Sequence, residues 1–407
     1  MAHPELLAPA GNLERLKIAF AYGADAVYIG GRQFGLRAFA DNFSREEMEE
    51  GIEYAHKSGK KVYVTMNIFA HNEDFDGMED YITMLDEIKA DAVILSDPGI
   101  LGLVRDTAPS LEIHLSTQAN STNWRSAAFW HQQGVKRIIL ARELSLQEIK
   151  GIRDNTPQSL EIEAFIHGAM CMSYSGRCTI SNYLTGRDAN RGECSQPCRW
   201  KYHLVEEKRP GEYMPIVEDE RGTYFFNSKD LCMLEFIPEL METGLTSLKI
   251  EGRMKTSYYV ANVISAYRKE LDRYCDNTSN YIFDPNNLKE LNKASHRPFT
   301  TGFYFKKPGS EDHVYDNSSY IREYDFVGML LETLEEKGLI LVEQRNSFAV
   351  GDQLEIMQPG EHHISYKVTE MYDSDMNPIT IAPHPQQQVY VPFKGHLKPW
   401  SLFRREK

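Results

Sequence analysis

Short apolar runs alternate with amphipathic stretches through the first half of the chain, and this alternation restricts the fold more than any other feature. The runs are rich in Val, Ile and Leu, as expected of strands buried on both faces. They predict strands at residues 5–10, 25–30, 61–67, 91–97, 112–117, 137–142 and 161–167. The stretches between them predict helices at 13–22, 45–58, 75–89, 99–107, 123–133 and 145–153. Because strand and helix alternate in units of about 25–35 residues, a parallel sheet is predicted.

An eighth strand is predicted at 247–251, and a helix at 257–273 follows it. Eight β/α units close a TIM-type barrel. The alternative is an open, doubly wound sheet, which typically has G-x-G-x-x-G after its first strand. Here the first strand runs into Ala-Pro-Ala-Gly-Asn. We therefore predict the α/β class with a TIM-type (β/α)8 barrel.

Two regions depart from the alternation. Residues 168–246 contain most of the cysteines and follow the seventh strand, so a barrel would place this insertion on the loop face where active sites lie. From residue 298, turn residues separate short strands predicted at 326–333, 338–344, 353–357, 365–371 and 389–392. We predict a barrel domain over 1–297, and a linker with a small β-barrel-like domain over 298–407.

Composition narrows the class of protein. A hydrophobic fraction of 42% and a charged fraction of 26% are typical of a soluble globular chain. The net charge of −14 means that a polyanion would bind only through a local basic patch. The amino terminus lacks the features of a signal peptide, and no apolar run approaches the length of a membrane span. We predict a cytoplasmic protein without membrane contact.

The six cysteines are clustered: none precedes Cys171, and five lie from Cys171 to Cys232. In a cytoplasmic chain they are not expected to form structural disulfides. Their spacing matches neither the paired C-x2-C of structural zinc sites nor the C-x2-C-x2-C run of bacterial ferredoxins. Thiolates suit zinc or an iron–sulfur cluster, and the irregular spacing favours the cluster. Inert buried thiols are the alternative.

One long run is recognisable. Residues 163–181 read Glu-Ala-Phe-Ile-His-Gly-Ala-Met-Cys-Met-Ser-Tyr-Ser-Gly-Arg-Cys-Thr-Ile-Ser. This run resembles the signature of the collagenase-like peptidase U32 family, which is Glu-x-Phe, Gly-[Ser/Ala]-aliphatic-Cys, Gly-x-Cys and aliphatic-Ser. Residues 190–200, 228–232 and 249–255 also resemble the family. The resemblance covers essentially the whole chain, since members of this length carry a small C-terminal β domain.

The resemblance implies RNA hydroxylation more than proteolysis, because neither H-E-x-x-H nor G-x-S-x-G occurs. One branch of the family uses prephenate to hydroxylate carbon 5 of the tRNA wobble uridine, and the length of this chain is most similar to that branch. Other branches modify ribosomal RNA or hydroxylate the ubiquinone ring. The implied partners are tRNA, prephenate and a related partner subunit. A peptidase and a non-catalytic binding or assembly factor are the alternatives.

The resemblance also implies a [4Fe–4S] cluster. The ubiquinone-modifying relatives hold this cluster through four cysteines. By motif position these match Cys171, Cys178, Cys194 and Cys232. Cys198 is then a spare or an alternate ligand.

Charged residues at the ends of the last two barrel strands are catalytic candidates: Glu163, His167, Lys249 and Glu251. Glu163 and His167 are predicted to share the inward face of the seventh strand. Lys249, Glu251 and Arg253 alternate along the eighth and are predicted to face the same mouth. An internal ion-pair network and a hydrogen-bonded structural histidine are the alternatives.

Prephenate carries two carboxylates, and Arg binds such groups bidentately. The candidate arginines are Arg142, Arg177 and Arg253. Polar residues near strand ends are further candidates for the pocket, with solvated loop positions as the alternative: Asn67, Asp97, His114, Ser116 and Gln118.

Two basic stretches are candidates for RNA contact. The first is a loop with an adjacent aromatic ring, which could grip a phosphate backbone and stack a base: Arg187, Arg191, Arg199, Trp200 and Lys201. The second lies at the carboxyl end of the chain: Lys394, Lys398, Arg404, Arg405 and Lys407. A solvated run of charges is the alternative for the first stretch.

Overall fold

The structure is a computed structural model that describes residues 3–35, 41–170, 180–187, 194, 195, 197, 203, 204, 214, 215, 227–308, 313, 314 and 320–407. The strands of its first domain are β1 (Glu5–Pro9), β2 (Ala26–Gly30), β3 (Lys61–Met66), β4 (Ala92–Leu95), β5 (Glu112–Leu115), β6 (Arg137–Ile139), β7 (Glu161–Ala169), β8 (Asp230–Cys232), β9 (Ser247–Ile250) and β10 (Phe299–Thr300). β1 to β7 and β9 form a parallel sheet that closes because β9 pairs with both β1 and β7. The predicted eight-stranded barrel is confirmed.

Helices surround this barrel. They are α1 (Leu13–Ala21), α2 (Arg45–Lys57), α3 (Met78–Glu87), α4 (Pro98–Thr107), α5 (Trp124–Gln132), α6 (Leu146–Asp154), α7 (Ile180–Thr185), α8 (Ile237–Glu242), α9 (Ser257–Asp276) and α10 (Pro285–Asn292). A capping box begins α2, since Ser44 and Glu47 satisfy each other's backbone N–H groups. Within the described ranges, none of the helices combines the length and the apolar character that a membrane crossing requires.

The core lies between the barrel and its helices. Side chains alternate along each strand, so residues next to an inward-facing position point outward. The outward positions Leu6, Val64 and Leu248 are fully buried. Both faces of the strands are therefore covered, which explains why the strands read as nearly continuous apolar runs.

β7 is the longest barrel strand, and its two ends have different partners. Residues up to His167 pair with β9 in parallel. From His167 onward β7 pairs with β8 in the antiparallel direction, with Cys232 opposite His167 and Asp230 opposite Ala169. β10 then pairs with β8. The short β8 has no periodicity of its own, and sequence analysis did not predict it.

The predicted small all-β domain is also confirmed. Its strands are β11 (Tyr324–Leu334), β12 (Leu339–Gln344), β13 (Gln353–Met357), β14 (Ile364–Lys367), β15 (Gln388–Pro392) and β16 (Leu402–Glu406). They form an antiparallel sheet in the order β14-β13-β16-β11-β12-β15. Two-residue strands pair outside the main sheets: His203–Leu204 with Met214–Pro215, Asn227–Ser228 with His313–Val314, and Phe348–Ala349 with Ile381–Ala382.

The C-terminal basic stretch is only partly exposed: Lys394, Lys398 and Lys407 are exposed, whereas Arg404 is buried. Arg404 lies on β16, is fully buried, and forms ion pairs with Glu290 of α10 and Glu355 of β13. Nη1 of Arg405 lies 2.5 Å from Oδ2 of Asp352 and forms an ion pair with it. The remaining basic residues of this stretch include Lys398, bound to Glu361, and Lys407, bound to Asp325. The sequence did not reveal the burial of Arg404, because β16 was not recognised as a strand between β11 and β13. RNA contact by the exposed lysines of this stretch stays a prediction.

Candidate active site at the barrel mouth

A cleft opens where the carboxyl ends of the barrel strands meet. Its volume is about 560 Å³ when the space open to solvent is included. Parallel strands in a closed barrel bring their carboxyl ends to one rim, so side chains distant in sequence converge there. The lining residues are Tyr28, Thr65, Asn67, Ile94, Ser116, Thr117, Gln118, Ile139, Arg142, Phe165, Lys249, Glu251 and Arg253.

Many of the predicted site residues converge on this cleft. Those that line it are Asn67, Ser116, Gln118, Arg142, Lys249, Glu251 and Arg253. Three lining residues are cations and one is a carboxylate, so the lining formed by the described residues carries excess positive charge. A concave site of this charge favours an anionic ligand.

Arg253 follows β9 and is held rigidly at the rim. It is 4% exposed, and its guanidinium donates hydrogen bonds to the Asn42 amide oxygen at 2.6 Å and to the Thr65 hydroxyl at 3.2 Å. Gly30 makes room for this arrangement, because a Cβ at position 30 would lie 2.2 Å from Nη2 of Arg253. A larger residue at position 30 would therefore displace the guanidinium.

Lys249 lies at the base of the cleft above a buried carboxylate. Its Nζ donates to Oε1 of Glu163 at 2.9 Å and lies 4.3 Å from the centre of the Tyr28 ring. Burial alone would raise the pKa of Glu163, but the charges of Lys249 and Arg137 outweigh burial and lower it. Glu163 is therefore ionised, which favours the ion-pair alternative for this residue over an acid–base role.

Arg137 connects Glu163 to a second layer of charges deeper in the barrel. Its Nη1 donates to Oε1 of Glu5 at 2.5 Å and to Oε2 of Glu163 at 3.2 Å. Its Nε donates to Oε2 of Glu161 at 2.8 Å. Sequence analysis did not identify Arg137, although its inward position two residues before Ile139 of the cleft lining follows from strand alternation.

His114 is not brought to the cleft. It lies on β5 below the rim, 1% exposed, with its ring centre 4.6 Å from that of Tyr63. Burial lowers the pKa of His114, so its imidazole is neutral. Asp97 also has a local role, because its Oδ1 caps α4 by accepting from the N–H groups of Gly99 and Ile100.

His167 does not share the inward face of Glu163, and that prediction is wrong. The register between β7 and β9 shifts between Lys249 and Ile250, which ends the alternation that Glu163 and Phe165 follow. The His167 ring instead packs against the rings of Tyr259, Tyr267 and Phe299, with centroids 5.5 to 6.0 Å away. Burial lowers the pKa of His167 to about 3, so this imidazole is neutral.

Arg142 lies at the rim between β6 and β7. Its Nη1 donates to the carbonyl oxygen of Ala169 at 2.8 Å, and its guanidinium carbon lies 4.9 Å from the centre of the Phe165 ring. Tyr28, Thr65 and Phe165 complete this wall and were not predicted. Sequence analysis could have predicted Thr65, because it precedes Asn67 by two positions and strand alternation places both on one face.

Two of the four predicted cluster ligands are among the described residues. Cys232 is 7% exposed, and the Tyr267 hydroxyl donates to its Sγ at 3.9 Å. Burial raises the pKa of the Cys232 thiol to about 11. Cys194 is half-buried. Cys171 and Cys178 lie outside the described residues, as does Cys198.

The chemistry of the two described donors fits an iron–sulfur cluster, because Cys thiolates are the ligands that such clusters use. β7 ends at Ala169, which pairs with Asp230 of β8, the strand that carries Cys232.

The predicted RNA-binding loop is largely outside the described residues. Arg187 is described and is half-buried just after α7. The residues that are not described are Arg191, Arg199, Trp200 and Lys201, together with the substrate-binding candidate Arg177. Their roles stay predictions.

Two family models match the chain: Peptidase family U32 over residues 11–314 and Peptidase family U32 C-terminal domain over 322–404. The chain is similar to tRNA hydroxylation protein P1 of Bacillus subtilis, with 44% identity over 99% of this chain and 95% of the relative. It is similar to tRNA hydroxylation protein P of Escherichia coli, with 40% identity over 98% and 95%. Among solved structures, the U32 peptidase Mk0906 has 13% identity and a TM-score of 0.41 over 62% of this chain and 94% of that chain.

Proposed function

The chain belongs to peptidase family U32, and from this membership we propose that it is an enzyme of tRNA hydroxylation. The observation that carries the proposal is the full-length similarity to two relatives named for tRNA hydroxylation, at 44% and 40% identity. The aligned regions span both domains, so they cover the barrel mouth as well as the C-terminal sheet.

The finer proposal is that the enzyme hydroxylates carbon 5 of the wobble uridine and takes the hydroxyl group from prephenate. The charge of the cleft supports an anionic co-substrate, since Arg142, Lys249 and Arg253 line it. A dicarboxylate needs two cationic contacts at separate positions, and the arginines come from different strand ends, β6 and β9. A cytoplasmic location and a related partner subunit stay predictions.

The residues of the mouth would act by binding and orienting. Arg253 is rigid because Asn42 and Thr65 hold its guanidinium, so it can bind a carboxylate without further ordering. Lys249 is held in place by its hydrogen bond to Glu163. The rings of Tyr28 and Phe165 form part of the wall and would exclude water from the bound ligands.

We also propose that a [4Fe–4S] cluster is held by Cys171, Cys178, Cys194 and Cys232, with Cys198 as the alternate for one of them. Such a cluster supplies redox chemistry or Lewis acidity when it is bound. The buried position of Cys232 beside β7 supports its inclusion.

Anaerobic purification followed by iron and acid-labile sulfide analysis tests this cluster. Each single Cys→Ser change at a true ligand is expected to reduce the iron content strongly. Cys275→Ser is the matched control, because Cys275 lies on α9 outside the cysteine cluster. Loss of iron in Cys198→Ser but not in Cys232→Ser would show that Cys198 is the ligand, and normal iron in all five variants would contradict the proposal.

Nucleoside analysis of tRNA tests the function. Cells that lack the protein are expected to lose 5-hydroxyuridine at the wobble position, and expression of this chain should restore it. Unchanged 5-hydroxyuridine would contradict the proposal. Gelatin degradation that survives the Cys171→Ala and Cys178→Ala changes would instead favour the peptidase alternative.

A further inference from the structure

The connection from β5 to α5 starts at the mouth end of the barrel and leads to an exposed aromatic residue, Trp124. Gln118 lines the cleft, and the carbonyl oxygen of Ser121 accepts a hydrogen bond from the N–H of Ala141, the neighbour of Arg142. Trp124 begins α5 three residues after Ser121, so its Cα lies within about 11 Å of that of Ser121. Trp124 is nevertheless 38% exposed, which is unusual for so large a side chain.

Arg125 lies against this ring. Its guanidinium carbon lies over the Trp124 ring, 4.5 Å from the ring centre, so the guanidinium covers one face of the ring and the two side chains form a stacked pair. Arg125 is exposed, and within the ranges that the structure describes no carboxylate forms an ion pair with it. Arg404 and Arg405 of the C-terminal domain differ, because both are bound to acids.

We infer that Trp124 and Arg125 bind an unpaired nucleotide of the tRNA, adjacent to the uridine that would react at the barrel mouth. This inference rests on the proposed function and names a second contact for the same substrate. Unpaired RNA bases stack on aromatic rings and on guanidinium planes, and an arginine without an acid partner can also attract a phosphate. Because the chain has a net charge of −14, it can attract a polyanion only through local cations. Arg125 supplies such a cation.

The surroundings of Trp124 favour a nucleic acid over a protein partner. Its neighbours along the chain, Thr122, Asn123 and Arg125, are polar or charged and exposed. Protein–nucleic acid interfaces are polar and positively charged, whereas the centre of a stable protein–protein interface is depleted of charge.

The test is the affinity of the full-length, anaerobically purified protein for tRNA isolated from cells that lack it, measured over a range of salt concentrations. Trp124→Ala is expected to weaken binding about 5-fold or more without changing the salt dependence. Arg125→Ala is expected to weaken binding and to reduce the slope of log K against log salt by about 0.7. Trp124→Phe keeps an aromatic face and should retain most of the affinity.

Phe129→Ala is the matched control. Phe129 is 53% exposed on the same helix, but it lies five residues further from the mouth, about 7.5 Å along the helix axis. This variant is expected to bind tRNA as the unchanged protein does. Melting curves of all variants check that they fold. If Trp124→Ala fails to fold, the tRNA affinity of Trp124→Phe and the salt dependence of Arg125→Ala test the inference in its place.

Normal tRNA affinity in Trp124→Ala, or equal losses in Trp124→Ala and Phe129→Ala, would overturn the inference. Loss of a partner subunit from Trp124→Ala with intact tRNA binding would overturn it in favour of a protein docking surface. These outcomes leave the proposed function standing, because nucleoside analysis tests it separately. Failure of the unchanged protein to bind tRNA would overturn both.

Discussion

The two ends of the barrel interior carry charge in different ways. At the amino ends of the strands, Arg137 is enclosed by the carboxylates of Glu5, Glu161 and Glu163, so its charge is fully compensated by ion pairs within the protein. At the carboxyl ends, three cations and one carboxylate line an open cleft. Removing one partner of a buried ion-paired group is strongly destabilising, whereas an excess of one charge around an open cleft attracts a ligand of opposite sign.

The largest expected effect comes from breaking the ion-paired inner layer around Arg137. Arg137→Met leaves Glu5 and Glu163 as buried carboxylates with less compensation, and the free energy of unfolding should fall by about 3–5 kcal/mol. Urea denaturation measures this. Arg45→Met is the control, since the ion pair of Arg45 with Glu87 is exposed and should contribute less than about 1 kcal/mol. Equal losses in the two variants would show that the inner layer is not structural.

At the mouth, the expected loss is in activity and not in stability. Gly30→Ala should displace the Arg253 guanidinium and reduce the rate of tRNA hydroxylation about 10- to 100-fold. Gly102→Ala is the matched control, because a Cβ at Gly102 of α4 would meet no atom within 4 Å. The amount of 5-hydroxyuridine formed in complemented cells measures the effect. Full activity of Gly30→Ala would contradict a substrate role for Arg253.

The smallest effect is expected at the domain interface. Burial alone would raise the pKa of Glu355, but a hydrogen bond from His363 and the charge of Arg404 lower it. A carboxyl with a lowered pKa stabilises the fold above its ordinary pKa of about 4.5, and this contribution is lost as the pH falls through the lower, folded-state value.

Glu355→Gln should therefore be less stable than the unchanged protein by about 1 kcal/mol at pH 7, because Glu290 still binds Arg404 and solvent screens the site. The difference should shrink below about pH 4.5. Thermal denaturation at pH 7 and pH 4 measures it, with Glu361→Gln as an exposed control. A difference that grows on acidification would contradict this account of the interface.

The barrel could be predicted from sequence because its strands and helices have strong, regular periodicity. The predicted strand ends also located the cleft. Lys249, Glu251 and Arg253 follow simple alternation, and all three line it. Alternation failed for His167, because a register shift in the pairing of β7 with β9 has no signature in the sequence.

Long-range pairing was the other feature that the sequence did not reveal. β16 reads as a charged tail, yet it lies between β11 and β13 and buries Arg404 completely. Arg137 was likewise missed, because its acidic partners come from β1 and β7, distant in sequence. A charged residue in a strand becomes interpretable only when its neighbours in space are known.

The proposed chemistry depends most on the mouth being the binding site for a dicarboxylate. Isothermal titration calorimetry of the anaerobically purified protein with prephenate tests this directly. We expect saturable binding that Arg253→Lys weakens about tenfold or more, because Lys cannot bind a carboxylate bidentately. Arg105→Lys, a change on the exposed side of α4, should leave the affinity unchanged. Absence of prephenate binding, or equal affinity in Arg253→Lys and the unchanged protein, would contradict a dicarboxylate site at the mouth.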